Sequence, residues 1–253
     1  MINSLSIIFP YYNEACRLKK SLFKINSFLK KKKFKKLEII FVNDGSTDNS
    51  NKLIQEFILK KKIIYKKIHF KILNLRRNFG KGFAIKQGVK YANNNWVLTS
   101  DIDHSVSLNQ IILWGGGYYL TKSYGVYFGS RLARGSIVKK QKIRNLLGYL
   151  LRIISAILFS SSIMDTQCGF KLYKKKIAKK IFSKLITKGF SHDVEIVNIC
   201  LKFNYKIKEL PVKWTHMSGG KLNIIYDPLI MFIEIIKIYF SIKNKLPMLK
   251  STF

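Results

Sequence analysis

Acidic residues are scarce in this chain, with 13 Asp and Glu against 47 Lys and Arg, and the resulting net charge of +34 points toward polyanions. The lysines are scattered over nearly every segment, however, rather than gathered into one arm. That spread argues against a nucleic-acid arm and for solvated surface with a residual attraction to an anionic membrane leaflet. Cysteine is also rare. Cys16, Cys168 and Cys200 are odd in number and widely spaced, which excludes a disulfide framework or a zinc knuckle and fits reduced thiols in a cytosolic setting. No uninterrupted apolar run reaches about 20 residues, so a spanning helix is not expected. Met1 to Pro10 lacks the basic start and small-residue cleavage site of a signal peptide.

What the chain does have is material for a core. Its 253 residues are 47% hydrophobic and 13% aromatic, enough for one large α/β domain over residues 1–253. Ser4–Phe9, Leu37–Val42, Ile68–Leu73 and Trp96–Thr99 read as short apolar strands, and the stretches between the first four read as single helices. That alternation predicts parallel pairing, right-handed crossovers and a nucleotide crevice at the strand tips. Val126–Phe128 reads as a fifth strand, Leu108–Leu120 as a helix despite its glycine triplet, and Lys206–Trp214 as a strand with Pro211 suited to an edge. Asp227-Pro228 opens a last helix running to about Lys243 by cap and N1 proline.

Each strand delivers polar residues to one edge of the sheet, so Glu14, Asp44, Lys81, Asp101 and Asp103 are expected to line it together. The stretch from Asn95 to His104, NWVLTSDIDH, is the centre of this pattern. An extended segment would point Asp101 and Asp103 the same way and turn Ile102 back into the protein. Two convergent carboxylates suit Mg²⁺ or Mn²⁺, which in turn clamps a diphosphate. Asp44, after the second strand, would accept from a base N–H such as that of uracil or guanine. His104 reads either as an added metal ligand or as a hydrogen-bonded surface histidine.

Two later stretches have wide apolar faces. In Asn145–Met164, Arg144, Gly148, Arg152 and Ser155 share one narrow polar stripe, and in the last helix Glu234, Lys237 and Ser241 do the same. A central Arg in a spanning helix would cost about 2.5–3.5 kcal/mol, so these helices are expected in the core or at the membrane interface. Between them, Asp165–Lys171 (DTQCGFK) is polar, irregular and glycine-containing, the composition of a functional loop.

Several segments together resemble the A-type family 2 glycosyltransferases: PYYNEACRL, VNDGSTDNS, NFGKGFAIKQGV, SDIDHS, GSR, DTQCGFKLY, DVEI and ELPVKWTH. The resemblance covers about residues 5–240 and is strongest to the dolichyl-phosphate β-glucosyltransferases and their bacterial polyprenyl-phosphate relatives. NDGSTD and D-x-D are shared across the superfamily, whereas DTQCGFK is more specific. The resemblance implies a Rossmann-like, mostly parallel sheet, with a nucleotide-sugar half over about residues 1–130 and an acceptor and membrane-facing half over about 131–253. It implies that Pro10, Tyr12, Glu14 and Asp44 hold the nucleoside with Lys81 nearby, and that Asp101 and Asp103 bind the metal and diphosphate. Arg131, Asp165, Gln167 and Lys171 would surround the donor sugar and the acceptor phosphate.

The reaction implied is inverting transfer of glucose from UDP-glucose to a polyprenyl phosphate at the cytoplasmic face of a membrane, by a peripheral enzyme that binds no nucleic acid. GDP-mannose as donor, or a non-lipid glycan as acceptor, is the nearest alternative, and a basic nucleic-acid or membrane-surface binding module is the alternative from another class. Two features depart from the family pattern. His104 stands where relatives carry a small or apolar residue, and the chain shows neither the N-terminal anchor of eukaryotic members nor the C-terminal spanning helices of many bacterial ones.

Overall fold

A computed structural model describes residues 2–31, 33–117, 119–139, 162–217, 219 and 226–243. Four parallel strands form one half of the central sheet: β1 (Ser4–Tyr11), β2 (Lys36–Asn43), β3 (Ile68–Asn74) and β4 (Trp96–Thr99). Their connections are the helices α1 (Ala15–Leu29), α2 (Ser50–Ile64) and α3 (Lys81–Tyr91). Strands β1 and β2 are nearly continuous apolar runs because both faces of the sheet are covered; Ile7, Ile8, Phe9, Ile39, Ile40 and Phe41 have no exposed surface. Even Pro10, expected to end the first strand, stays in register opposite Val42.

The second half of the sheet is of mixed direction, and the sheet as a whole is mostly parallel, as expected. The seven strands run in the order β3-β2-β1-β4-β7-β5-β8, where β5 is Val126–Ser130, β7 is Lys171–Lys174 and β8 is Ile207–Pro211. Strand β7 is antiparallel to both β4 and β5. Only four residues long and next to a polar loop, KLYK carries no run or alternation long enough to mark it as a strand. Lys206–Trp214, expected as one strand, is two: β8 lies at the sheet edge and β9 (Lys213–Thr215) pairs with β6 (Ile137–Lys139) in a separate small sheet. The helix α4 (Asn109–Gly116) stops inside the glycine triplet, short of the expected Leu120.

The two faces of the sheet have separate cores. One gathers Leu18, Leu22, Ile25 and Phe28 of α1 with Ile54 and Phe57 of α2 and Ile111 and Trp114 of α4. The other packs Ala84, Ile85 and Val89 of α3 against α5 (Lys175–Lys184) and α6 (His192–Lys202). The last helix, α7 (Tyr226–Lys243), docks on α6 through Met231 and Ile235 against Val194. Among the described residues no helix is long and apolar enough to cross a membrane. The stretch Asn145–Met164, with Arg144, lies outside the described residues except at its last three positions.

Candidate active site

The strand tips are tied to each other before they reach any ligand. Asn13, at φ +50°, accepts from the amides of Thr47 (2.8 Å) and Asp48 (3.3 Å), and Asp48 accepts from the Ala15 amide at 3.0 Å. These contacts lock the β1 loop to the β2 loop. Gly45 sits at φ +73°, where a Cβ would fall 2.3 Å from the Arg77 backbone, so only glycine lets the loop after β2 close on the loop after β3. Beside it Asp44 is buried, its carboxylate accepting from the amides of Phe79 and Gly80 at 2.8 Å each. Burial pushes the Asp44 pKa up, and the two amides oppose that.

Beyond β4 the chain turns instead of continuing extended. The His104 amide donates to the Asp101 carbonyl at 3.2 Å and His104 takes φ +54°, so the D-x-D lies in a turn, contrary to the expected extended segment. Ile102 is buried as alternation required, yet it too touches the pocket. Asp101 pairs with Lys81 at 2.6 Å, and Asp103 lies 3.5 Å from Arg17. Arg17 itself is forked onto Glu14, with Nε 2.6 Å from Oε2. Burial opposes the charge on Asp101, but Lys81 outweighs it and holds the pKa below the usual carboxylate value. Asp103 goes the other way, raised by burial and by Asp101, with the Ser105 amide and Arg17 opposing.

Two adjacent carboxylates that differ in this way fit a divalent cation: hard oxygen donors on one wall, whose mutual repulsion a metal would relieve. Among the described residues no third acidic, histidine or cysteine group completes a cage, so the remaining ligands would come from the diphosphate and water, as Mg²⁺ and Mn²⁺ sites commonly arrange. The loop Asp165–Lys171 supports this wall directly. A Cβ on Gly169 would lie 2.3 Å from the Asp101 carboxylate, so glycine is what allows Asp101 to rest against the loop.

The other side of the pocket is built on buried ion pairs. Asp165 has no exposed surface and binds Arg131 three times, through the backbone amide (2.8 Å), Nε (2.7 Å) and Nη2 (2.6 Å). That bidentate grip aims the guanidinium, whose carbon also lies 5.7 Å from the centre of the Trp214 ring. Burial disfavours the Arg131 cation, but Asp165 more than compensates, and the pKa stays above its ordinary value. Lys171 is not at the pocket surface. Only 1% exposed, it donates to Asp193 (2.5 Å) and to the Cys168 carbonyl (2.7 Å), which corrects the expectation that it contacts donor or acceptor.

A cavity of about 370 Å³ lies over these groups. Pro10, Tyr12, Glu14, Asp44, Lys81, Asp101, Asp103, Arg131 and Gln167 all line it; Asp165 and Lys171 stand behind it. Two charged lining residues were missed in the sequence, Arg17 and Asp193. Arg17 could have been found as the i+3 partner of Glu14 on a helix, and Asp193 as a carboxylate inside an apolar helical run that needs a buried partner. His104 matches neither expected role. It is 4% exposed and packs edge-on against Phe9 at 5.5 Å; burial drops its pKa to about 4, with the Ser21 backbone opposing.

Known proteins resemble this chain over most of its length. The chain is 32% identical over 244 residues to the dolichyl-phosphate beta-glucosyltransferase of Saccharomyces cerevisiae, covering 92% of this chain and 73% of the relative. It is 34% identical to the Dictyostelium discoideum enzyme of the same name, with 93% and 74% covered, and 31% identical to the Homo sapiens one, with 86% and 69% covered. Among solved structures, Mycobacterium tuberculosis glucosyl-3-phosphoglycerate synthase in complex with Mn²⁺, UDP and glucosyl-3-phosphoglycerate superposes with a TM-score of 0.63 at 12% identity, over 94% of this chain and 79% of that one. The Pyrobaculum calidifontis mannosyltransferase bound to GDP-Man and Mn²⁺ gives a TM-score of 0.61 at 15% identity, over 97% of this chain and 65% of that one, just under two thirds of its length. At such identities the likeness establishes the glycosyltransferase A fold. The profile of Glycosyl transferase family 2 matches residues 6–182, from β1 through the D-x-D to α5, and the chain therefore belongs to that family and is a glycosyltransferase.

Proposed function

We propose that the protein transfers glucose from UDP-glucose to a dolichyl-type polyprenyl phosphate, with inversion at the anomeric carbon, at the cytoplasmic face of a membrane. The observation that carries this reading is the division of one cavity into a carboxylate wall, Asp101 and Asp103, and a facing cation, Arg131, held by a buried carboxylate. The names of the relatives, which match over most of this chain, support the acceptor class and the sugar.

A phosphate monoester has a second pKa near 6, so at pH 7 the attacking oxygen is already anionic and needs no strong base. What opposes the reaction is repulsion between that oxygen and an anionic diphosphate leaving group. Arg131 answers the first charge: Asp165 engages Nε and Nη2 and leaves Nη1 to donate to the acceptor phosphate. Bound on Asp101 and Asp103, Mg²⁺ or Mn²⁺ would supply Lewis-acid charge to the leaving diphosphate. Lys81 and Arg17, now held by those same carboxylates, remain protonated and lie at the diphosphate's edge of the pocket. Asp44, fixed by two amides, offers its remaining lone pairs to the uracil N–H, and Pro10 and Tyr12 flank the nucleoside.

A donor panel tests the proposal: UDP-glucose, UDP-galactose, UDP-GlcNAc and GDP-mannose, each with polyprenyl phosphate as acceptor. UDP-glucose is expected to give the highest kcat/KM. Preference for GDP-mannose, or transfer only to non-lipid acceptors, would overturn it.

A further inference from the structure

The exposed surface carries a second feature that the transfer site does not use. On the flank made by α1 and α2, four large apolar side chains stand in solvent: Phe23 (70% exposed), Leu59 (66%), Ile63 (77%) and Ile64 (62%). Single exposed apolar residues are ordinary, but these share one face with an extreme charge. Residues 30–36 at the end of α1 hold six lysines and residues 60–67 at the end of α2 hold five, while the two helices themselves contain one carboxylate, Glu56. A groove of about 310 Å³ runs between the helices, lined by Leu22, Leu53 and Phe57 together with Asn26, Lys60 and Lys61. It is followed near their C-terminal ends by one of about 770 Å³, floored by Phe28, Phe34 and Ile68 and ringed by lysines.

We infer that this α1–α2 flank is the surface by which the protein lies on an anionic lipid bilayer. Large apolar residues interspersed with lysines, which lay their stems along apolar surface while the ammonium stays at the headgroups, form the pattern of an interfacial helix. Each basic residue near an anionic leaflet contributes about 1 kcal/mol, and within the two helices only Glu56 opposes it. The other apolar face does not match this chemistry. Helix α7 also exposes Ile230, Ile233 and Phe240, but it carries no lysine cluster among its described side chains, where Glu234 offsets Lys237, and it lies with α6 on the opposite side of the sheet.

The inference deepens the proposed function, resting on its lipid acceptor, because α1 also enters the pocket. Arg17 lines the cavity and Phe23 follows six residues later, about 9 Å along the helix axis. A bilayer on this flank would pass beside the Arg17 edge of the pocket, and a membrane-borne phosphate would reach across from there to Arg131 on the facing side.

Co-sedimentation of the full chain with vesicles tests it, using phosphatidylcholine alone and phosphatidylcholine with about one third phosphatidylserine. The wild type is expected to bind only the anionic vesicles. Phe23→Glu/Ile63→Glu/Ile64→Glu should weaken that binding about tenfold or more, while Ile230→Glu/Ile233→Glu in α7 leaves it within about twofold. Each variant is also assayed for transfer to a short-chain, water-soluble polyprenyl phosphate, which reports folding and chemistry without a membrane. Unchanged vesicle binding by the triple variant, loss of binding through the α7 pair, or wild-type binding to polyglutamate but not to vesicles would each overturn the inference. Absence of transfer to the soluble acceptor by a wild type that still binds vesicles would count against the proposed function and leave the docking surface standing.

Discussion

The two sides of the cavity use the same ion pairs in opposite ways. On the D-x-D side, Asp101 and Asp103 are 31% and 20% exposed at the side chain and their cations, Lys81 and Arg17, are within reach of any ligand that enters. On the DTQCGFK side, Asp165 and Asp193 are 0% and 7% exposed, and they serve to hold Arg131 and Lys171. Open pairs can be exchanged for a metal or a diphosphate at little cost. Closed pairs cannot, because removing one partner strands a charge in the core. The difference assigns chemistry to the first set and architecture to the second, with Arg131 and Asp193 the points where the architecture reaches the cavity.

Breaking the closed side should give the largest effect. Lys171→Ala leaves Asp193 charged and buried beside His192, and denaturant unfolding should show a loss of about 3–5 kcal/mol. A loss under about 1 kcal/mol would mean that the pair is not closed. Arg131→Lys keeps the charge but forfeits the fork on Asp165; the KM for polyprenyl phosphate should rise about 10–100-fold with the KM for donor little changed. Gly169→Ala forces the Asp101 carboxylate aside, so the apparent Mn²⁺ affinity in the transfer assay should fall about tenfold while stability stays near wild type.

The smallest expected effect is a pH dependence. Burial lowers the His192 pKa, so the folded protein holds this ring neutral while the unfolded chain protonates it near 6.5. That contribution is complete above about pH 6.5 and is lost as pH falls toward the lower folded value, by at most about 1.4 kcal/mol per unit. Unfolding at pH 7.5 and 5.5 should therefore show a stability drop that His192→Gln removes.

The open side of the pocket was legible in the sequence for the same reason that it is open. Polar residues placed just after apolar strands have no structural duty that hides them, so Glu14, Asp44, Lys81, Asp101 and Asp103 could be grouped by strand-end position alone. The closed side was legible only as a motif. Nothing local to Lys171 tells that its ammonium turns inward to Asp193, 22 residues later, since long-range pairing across α5 leaves no periodic trace. Strand β7 was hidden likewise, being too short to show alternation and paired with strands distant in the chain. The turn at His104 was missed because a histidine at positive φ gives no signal of the kind that glycine gives.

The most direct test of the account is the transfer rate of Asp103→Ala with UDP-glucose, Mn²⁺ and polyprenyl phosphate, read beside its unfolding free energy. With an exposed edge and a charge that its neighbours already disfavour, Asp103 should be dispensable for stability, within about 0.5 kcal/mol, while kcat falls about a hundredfold or more. A rate near that of the wild type, with the fold intact, would contradict the claim that this carboxylate pair holds the departing nucleotide.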